Sequence, residues 1–239
     1  MLRLKSIAAA LCAVAAITLS DGTARAQSTL FNIPSTDVVA EKHVYLEFDF
    51  VSHLEAHRDG GFRGYVPRAV YGVGRHVEVG ANVAFLDAEA PDQPAELQPN
   101  VKYQFYSNET NGVSAAAGAV LYAPVSHRAG TDTFGLVYTV VSKRVKGSYG
   151  PRITGGGYRL VGRADGNGTL GGAIVGYEQP LHRRVSFVGD WLSGRNRFGY
   201  VTPGLSFALP HASALYAGYS VGNVGRKNNA LFVYYGITF

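Results

Sequence analysis

The residues in this sequence best suited to chemistry are His211 and Ser213, two positions apart. On a β-strand, positions i and i+2 share a face, so an imidazole there can take a neighbouring hydroxyl proton and create a nucleophile. The setting argues against that use. His211-Ala212-Ser213 follows Pro210 in a tight connection between strands, and no acid or amide nearby is placed to orient the ring. In Ser52-His53 and Ser126-His127 the two residues are adjacent, so a strand would point them to opposite faces. Gly166-Asn167-Gly168-Thr169-Leu170-Gly171 has the spacing G-x-G-x-x-G, but a dinucleotide site needs a strand before it and a helix after it. Here a turn-like "RADGNG" precedes a strand-like "GGAIVGYEQ", which reads as a glycine-rich hairpin loop. The seven histidines are scattered without ligand spacing. Neither a metal nor a cofactor is expected, and the chain reads as a non-enzyme.

A second group of residues carries charge in unusual company. Glu47, Asp49, Glu78, Glu178 and Asp190, with Arg68, Lys102 and Arg159, are isolated charges within long alternating stretches. Asn82, Asn100 and Gln104 continue the same polar faces. If these faces line a narrow lumen, the charges must be hydrated or paired. Hydrated, they would bias which solutes pass; paired across the lumen, they would block it.

The elements that must position them are strands. Period-two alternation recurs about twelve times, near 43–53, 61–73, 76–87, 96–106, 112–125, 132–143, 151–161, 169–179, 184–192, 198–209, 213–222 and 229–239. Most of these stretches are longer than the five or six residues usual in soluble sheets and suit a tilted strand crossing a bilayer. In "HVEVGANVAF", Val77, Val79, Ala81, Val83 and Phe85 take one face, and Glu78, Gly80 and Asn82 the other. In "LQPNVKYQF", Leu97, Pro99, Val101, Tyr103 and Phe105 oppose Gln98, Asn100, Lys102 and Gln104. A lipid-facing Arg or Lys costs about 2–4 kcal/mol at mid-bilayer, so the polar faces are assigned inward. A secreted β-sandwich would alternate too, but its outer faces would carry many more Lys and Glu.

Composition agrees. Only 16% of residues are charged, against roughly 25% in soluble domains. Yet no stretch after the N-terminus is apolar enough for a spanning helix: the best, Val113 to Ser126, contains Gly118 and Pro124. The fifteen Tyr, twelve Phe and thirty Gly favour strands and turns. Tight links such as "VGRHV", "QPLHRRV" and "LPHAS" alternate with longer polar ones such as "HLEAHRDGG", "DAEAPDQPAE" and "VGNVGRKNN". That is the pattern of an outer-membrane barrel with short periplasmic turns and longer outer loops. The links around 106–112 and 143–151 are longer than the pattern predicts.

At the N-terminus, Arg3 and Lys5 precede an apolar run from Ile7 to Leu19 and the small-residue site Ala24-Arg25-Ala26. This reads as a signal peptide over residues 1–26, cleaved before Gln27. The only cysteine, Cys12, lies within it, so the exported chain has no disulfide scaffold. Residues 27–42 read as a periplasmic lead-in and residues 43–239 as the barrel. The net charge of +5 comes largely from residues at connections, including Arg58, Arg128 and Arg195 at the loops and Arg75, Arg183 and Arg184 at the turns. Without a basic stripe interleaved with aromatics, nucleic acid is not an expected partner. Outer-membrane lipids and lipopolysaccharide phosphates are.

The last strand, "ALFVYYGITF", places Leu231, Val233, Tyr235, Ile237 and Phe239 at alternate positions. It resembles the terminal signal strand by which bacterial outer-membrane proteins are recognised by the barrel-insertion machinery. "VYLEFDF", "QPNVKYQF" and "VGDWLSGRNRFGYVTPGLSFAL" are similar to stretches of transporters grouped with the phenol-degradation MetA-pathway family. The His-x-Ser pair is similar to that used by outer-membrane phospholipases and lipid A deacylases, which act at the outer leaflet, whereas His211 is placed at the periplasmic side. The expected fold is therefore all-β, a single transmembrane antiparallel up-and-down barrel of about twelve strands in the outer membrane. Its expected role is passive diffusion of small solutes, with loops too short to form a large plug. The alternatives are a non-conducting structural or adhesive barrel with a self-paired lumen, and a lipid hydrolase using His211 and Ser213.

Overall fold

The computed structural model describes residues 29–89, 93–162, 168–225 and 228–239. The segments read as signal peptide and cleavage site lie outside them, as do Gly166 and Asn167 of the glycine-rich loop. The alternating stretches form twelve strands: β1 (Val44–His53), β2 (Phe62–Gly74), β3 (Val77–Asp87), β4 (Glu96–Asn108), β5 (Val113–Pro124), β6 (Phe134–Arg144), β7 (Arg152–Gly162), β8 (Gly171–His182), β9 (Val185–Leu192), β10 (Tyr200–Leu209), β11 (Ser213–Gly222) and β12 (Ala230–Thr238). Each pairs antiparallel with its sequence neighbour, and β12 pairs with β1 to close the barrel. Val44 and Phe239 exchange both backbone bonds at that seam, at 3.1 and 2.8 Å. Closure leaves no unpaired sheet edge.

One end of the barrel carries the tighter turns. At 210–212 the turn places His211 and Ala212 at φ 60° and 51°. The other end carries the connections 54–61, 88–95, 125–133, 163–170, 193–199 and 223–229. The outer wall is a belt of exposed apolar side chains, among them Phe48, Tyr71, Phe85, Tyr103, Val137 and Trp191. Polar groups and the densest packing are both inside.

The interior has two unlike walls. On β1 to β4 it is polar, with Glu47, Asp49, Glu78, Asn82 and Lys102 all buried. On β5 to β9, β11 and β12 it is largely apolar, built from Val140, Leu160, Ile174, Val188, Tyr216, Phe232 and Tyr234. Those side chains do not meet one another across an empty lumen. Residues 29–40 run between the walls, with Leu30, Ile33, Ser35, Thr36 and Val39 fully buried.

This corrects the expectation of a periplasmic lead-in for the part of 27–42 that the structure describes. The segment "TLFNIPSTDVVA" lacks strand alternation because its apolar residues pack into the barrel instead of into a sheet. Glycines on the wall make the room. A Cβ at Gly176 would stand 2.6 Å from Ile33 Cδ1, and one at Gly218 2.8 Å from the Phe31 ring.

Candidate functional site: the lumen and its two closures

The inner segment is held at both ends by polar contacts and in the middle by apolar ones. It leaves the barrel at the turn end, where Glu41 bridges Gly72 and the Lys42 amide donates to the Gly72 carbonyl at 2.9 Å. Just inside, the Val39 amide donates to Glu78 Oε2 at 2.7 Å, and Arg152 binds both Asp37 and Glu178. Thr36 meets Ser114 and Ser142, and its carbonyl accepts from Gln104 at 2.8 Å. Farther in, Phe31 packs edge-on to Tyr216 and Tyr234, which stack on each other at 4.3 Å. At its innermost point the segment meets Asp190. That carboxylate accepts from the Asn32 amide at 2.5 Å, the Ile33 amide at 3.1 Å and Asn32 Nδ2 at 3.1 Å.

Most of the charges assigned to the lumen from sequence come together there in pairs. Arg68 lies 2.9 Å from Glu47 and 3.7 Å from Asp49, and also donates to Thr29 of the segment. Lys102 is 3.0 Å from Glu78. Asn82, Gln98 and Asn100 form a ladder of amide contacts on the wall of β3 and β4 that ends at Glu96. Pairing offsets the cost of burying these charges, although Asp49 Oδ1 and Arg68 Nε are left without a hydrogen-bond partner. The pairs lie within the polar wall and tie it to the segment at Thr29 and Val39.

Arg159 does not join them, and its assignment to the lumen is corrected. On β7, Tyr158 and Leu160 are buried and Arg159 is exposed on the outer face beside Gly157 and Val161. The physical reason is the apolar wall. Where the lumen is packed with aromatic and aliphatic side chains, Tyr158 and Leu160 gain more by facing in. Arg159 stands three residues from the loop end of β7, about 10 Å along the strand, within reach of a polar interface for a snorkelling side chain.

Sequence reasoning missed the closure at the loop end. The 193–199 connection folds inward and places Arg197 and Phe198 over the barrel mouth. Arg197 binds Glu96 through two bonds, at 2.6 and 3.1 Å. Its guanidinium carbon also lies 5.0, 5.3 and 5.1 Å from the ring centres of Tyr122, Phe134 and Phe198. Between this lid and the inner segment lies a cavity of about 130 Å³. Amides of β3 and β4 line one side of it, and Tyr122, Tyr138 and Phe198 the other. The only sequence signal was "RNRFG" among loops otherwise poor in aromatics.

The His-x-Ser pair has a different geometry from a catalytic one. Ser213 donates its hydroxyl to the Pro210 carbonyl at 2.7 Å, closing the turn, while His211 is exposed. Among the described residues, no cluster of three His, Cys, Asp or Glu is arranged to hold a metal. On β12, Leu231, Val233, Tyr235 and Ile237 lie on the outer face, alternating with buried Phe232, Tyr234 and Gly236.

No family model matches the chain, and no curated protein matches it. Solved structures do. The barrel is similar to an outer membrane channel from Pseudomonas putida F1, at 11% identity and a TM-score of 0.51, over 93% of this chain and 100% of that one. It is also similar to outer membrane phospholipase A from Escherichia coli, at 11% identity and a TM-score of 0.47, over 83% of this chain and 92% of that one. The chain has the fold of an outer-membrane barrel.

Proposed function

We propose that this protein is an outer-membrane channel for small solutes, closed in the present conformation by its own residues 29–40. The observation that carries the reading is how the lumen is obstructed. The obstruction is a segment outside the sheet, bridged to the barrel only at Gly72 among the described residues and otherwise held by side-chain contacts. The apolar outer belt suits the barrel to a bilayer, and the likeness in fold to an outer membrane channel supports passage through the lumen. No covalent step is required. Loop-end cations such as Arg195 suit lipopolysaccharide phosphates.

The test is planar-bilayer conductance of the full chain and of a barrel lacking residues 29–40. Rare, brief steps from the first and sustained steps from the second are expected. A folded, truncated barrel that stays silent would refute the channel. The paired lumen charges would then favour the non-conducting structural barrel.

A further inference from the structure

The lid at the loop end has the composition of a binding site with an occupant already in place. Tyr122 and Phe134 stack at 5.0 Å, Phe198 completes a three-ring enclosure, and a Glu96 side chain only 10% exposed forms its polar side. Rings within about 6 Å of a cation, with a carboxylate beside them, are the chemistry of an organic-cation cage. What fills the cage is the guanidinium of Arg197, carried on a loop. Its side chain is 43% exposed, so the occupant is reached from outside.

We propose that the Tyr122–Phe134–Phe198–Glu96 cage is the entry site for solutes bearing a guanidinium or alkylammonium head, and that Arg197 is a resident mimic such a solute displaces. This rests on the channel reading and names its substrate class. Displacement asks only the Arg197 side chain to leave, and its exposed flank gives it a way out. The loop that carries Phe198 stays docked through Asn196, which donates to the Tyr158 hydroxyl and the Thr169 carbonyl, both at 2.7 Å. Below the cage, Phe198 and Tyr122 continue into the 130 Å³ cavity, and the amide ladder starts at Glu96 itself. A cation leaving the cage meets a path where carboxylates exceed their partners. Arg68 faces both Glu47 and Asp49, an acidic excess on the barrel wall itself that stays when residues 29–40 withdraw.

Binding is measured by calorimetry on the detergent-folded full chain, with agmatine as the guanidinium probe and N-butylurea as its neutral analogue. Arg197→Ala should bind agmatine roughly tenfold or more tightly than wild type, because a tethered occupant at about millimolar effective concentration no longer competes. Adding Glu96→Gln should undo that gain, and N-butylurea should bind neither protein. Equal agmatine affinity in wild type and Arg197→Ala, or equal affinity for the urea, would overturn the proposal. If Arg197→Ala does not fold, Arg197→Gln takes its place; if neither folds, wild type decides by saturable binding of agmatine or its absence. A conducting barrel without this binding would refute the cage alone. Binding in a barrel silent after removal of residues 29–40 would refute the channel and leave the cage standing.

Discussion

Replacing Asp190 by Ala should release the inner segment while leaving the barrel wall intact. Asp190 is 3% exposed, and its carboxylate is the acceptor for the Asn32 and Ile33 amides. Asn32 Nδ2 has a second acceptor in Thr202 Oγ1 at 2.6 Å, so the substitution strands chiefly the two backbone N–H groups. Each buried donor left unsatisfied costs about 1–3 kcal/mol, so docking weakens by about 2–6 kcal/mol in all. At 1.4 kcal/mol per decade, that shifts the docked–released equilibrium by roughly thirtyfold to twenty-thousandfold. Ser35 is fully buried in the docked segment, so a Ser35→Cys thiol reports release. Its maleimide labelling rate should rise in Asp190→Ala by the same factor, with a folded, heat-modifiable barrel as the control. Asp190→Asn, which keeps one acceptor oxygen, should give a smaller rise. A labelling rate within twofold of the parent, in folded Asp190→Ala, would refute the idea that this carboxylate anchors the segment.

Four further outcomes follow from other features of the barrel. Gly176→Leu fills the space that Ile33 and Leu30 occupy, so it should raise Ser35→Cys labelling and open-channel time without unfolding the barrel, measured by labelling and planar-bilayer recording. Lys102→Glu sets a second acid against Glu78 at a buried site and should cost about 3–5 kcal/mol in urea unfolding; adding Glu78→Lys restores the charge pair but not the acceptor for the Val39 amide, so it should recover only part of it. Arg159→Glu, on the outer face, should leave the reversal potential of any conducting barrel unchanged. Ala212→Gly relieves a residue at φ 51° and should stabilise the barrel by about 1 kcal/mol in the same unfolding assay.

The fold was legible because alternation is a local signal that closure requires of every strand. Val77 to Phe85 and Leu97 to Phe105 could be sorted into faces residue by residue. The lumen was legible only where its wall is polar. Glu47, Asp49, Arg68, Glu78 and Lys102 stand out against apolar neighbours, and the structure sets them together. On β7 the rule of polar inside and apolar outside inverts. Glycines at 155, 156 and 157 mark no face, and Tyr158 and Leu160 point into a packed interior. What fills that interior comes from residues 29–40, whose contacts are distant in sequence: Asn32 to Asp190 and Asp37 to Arg152. Such pairings leave no periodicity to read. The lid was invisible for the same reason, since Glu96 and Arg197 meet only after the barrel has closed.

Strand number explains why a segment is needed at all. Eight strands enclose a space that side chains fill, and sixteen or more leave an aqueous channel. Twelve strands leave a gap that one extended segment can occupy, and Gly176, Gly204 and Gly218 lower the wall where its bulky residues lie. The segment is tethered at the turn end by Glu41 and Lys42, so withdrawal through that end is the short path. Asp190 holds the deepest point, and Arg152, Glu78 and Gly72 hold points successively nearer the exit. On the channel reading, withdrawal through that end frees the residues near Arg152 first and must then drag Phe31 off its glycine floor and away from Tyr216 and Tyr234. The apolar middle resists at every stage, whereas each polar anchor resists once. On that reading, opening without unfolding requires anchors that set the docked position and glycine-lowered stretches of an otherwise packed wall that let Phe31 and Ile33 pass.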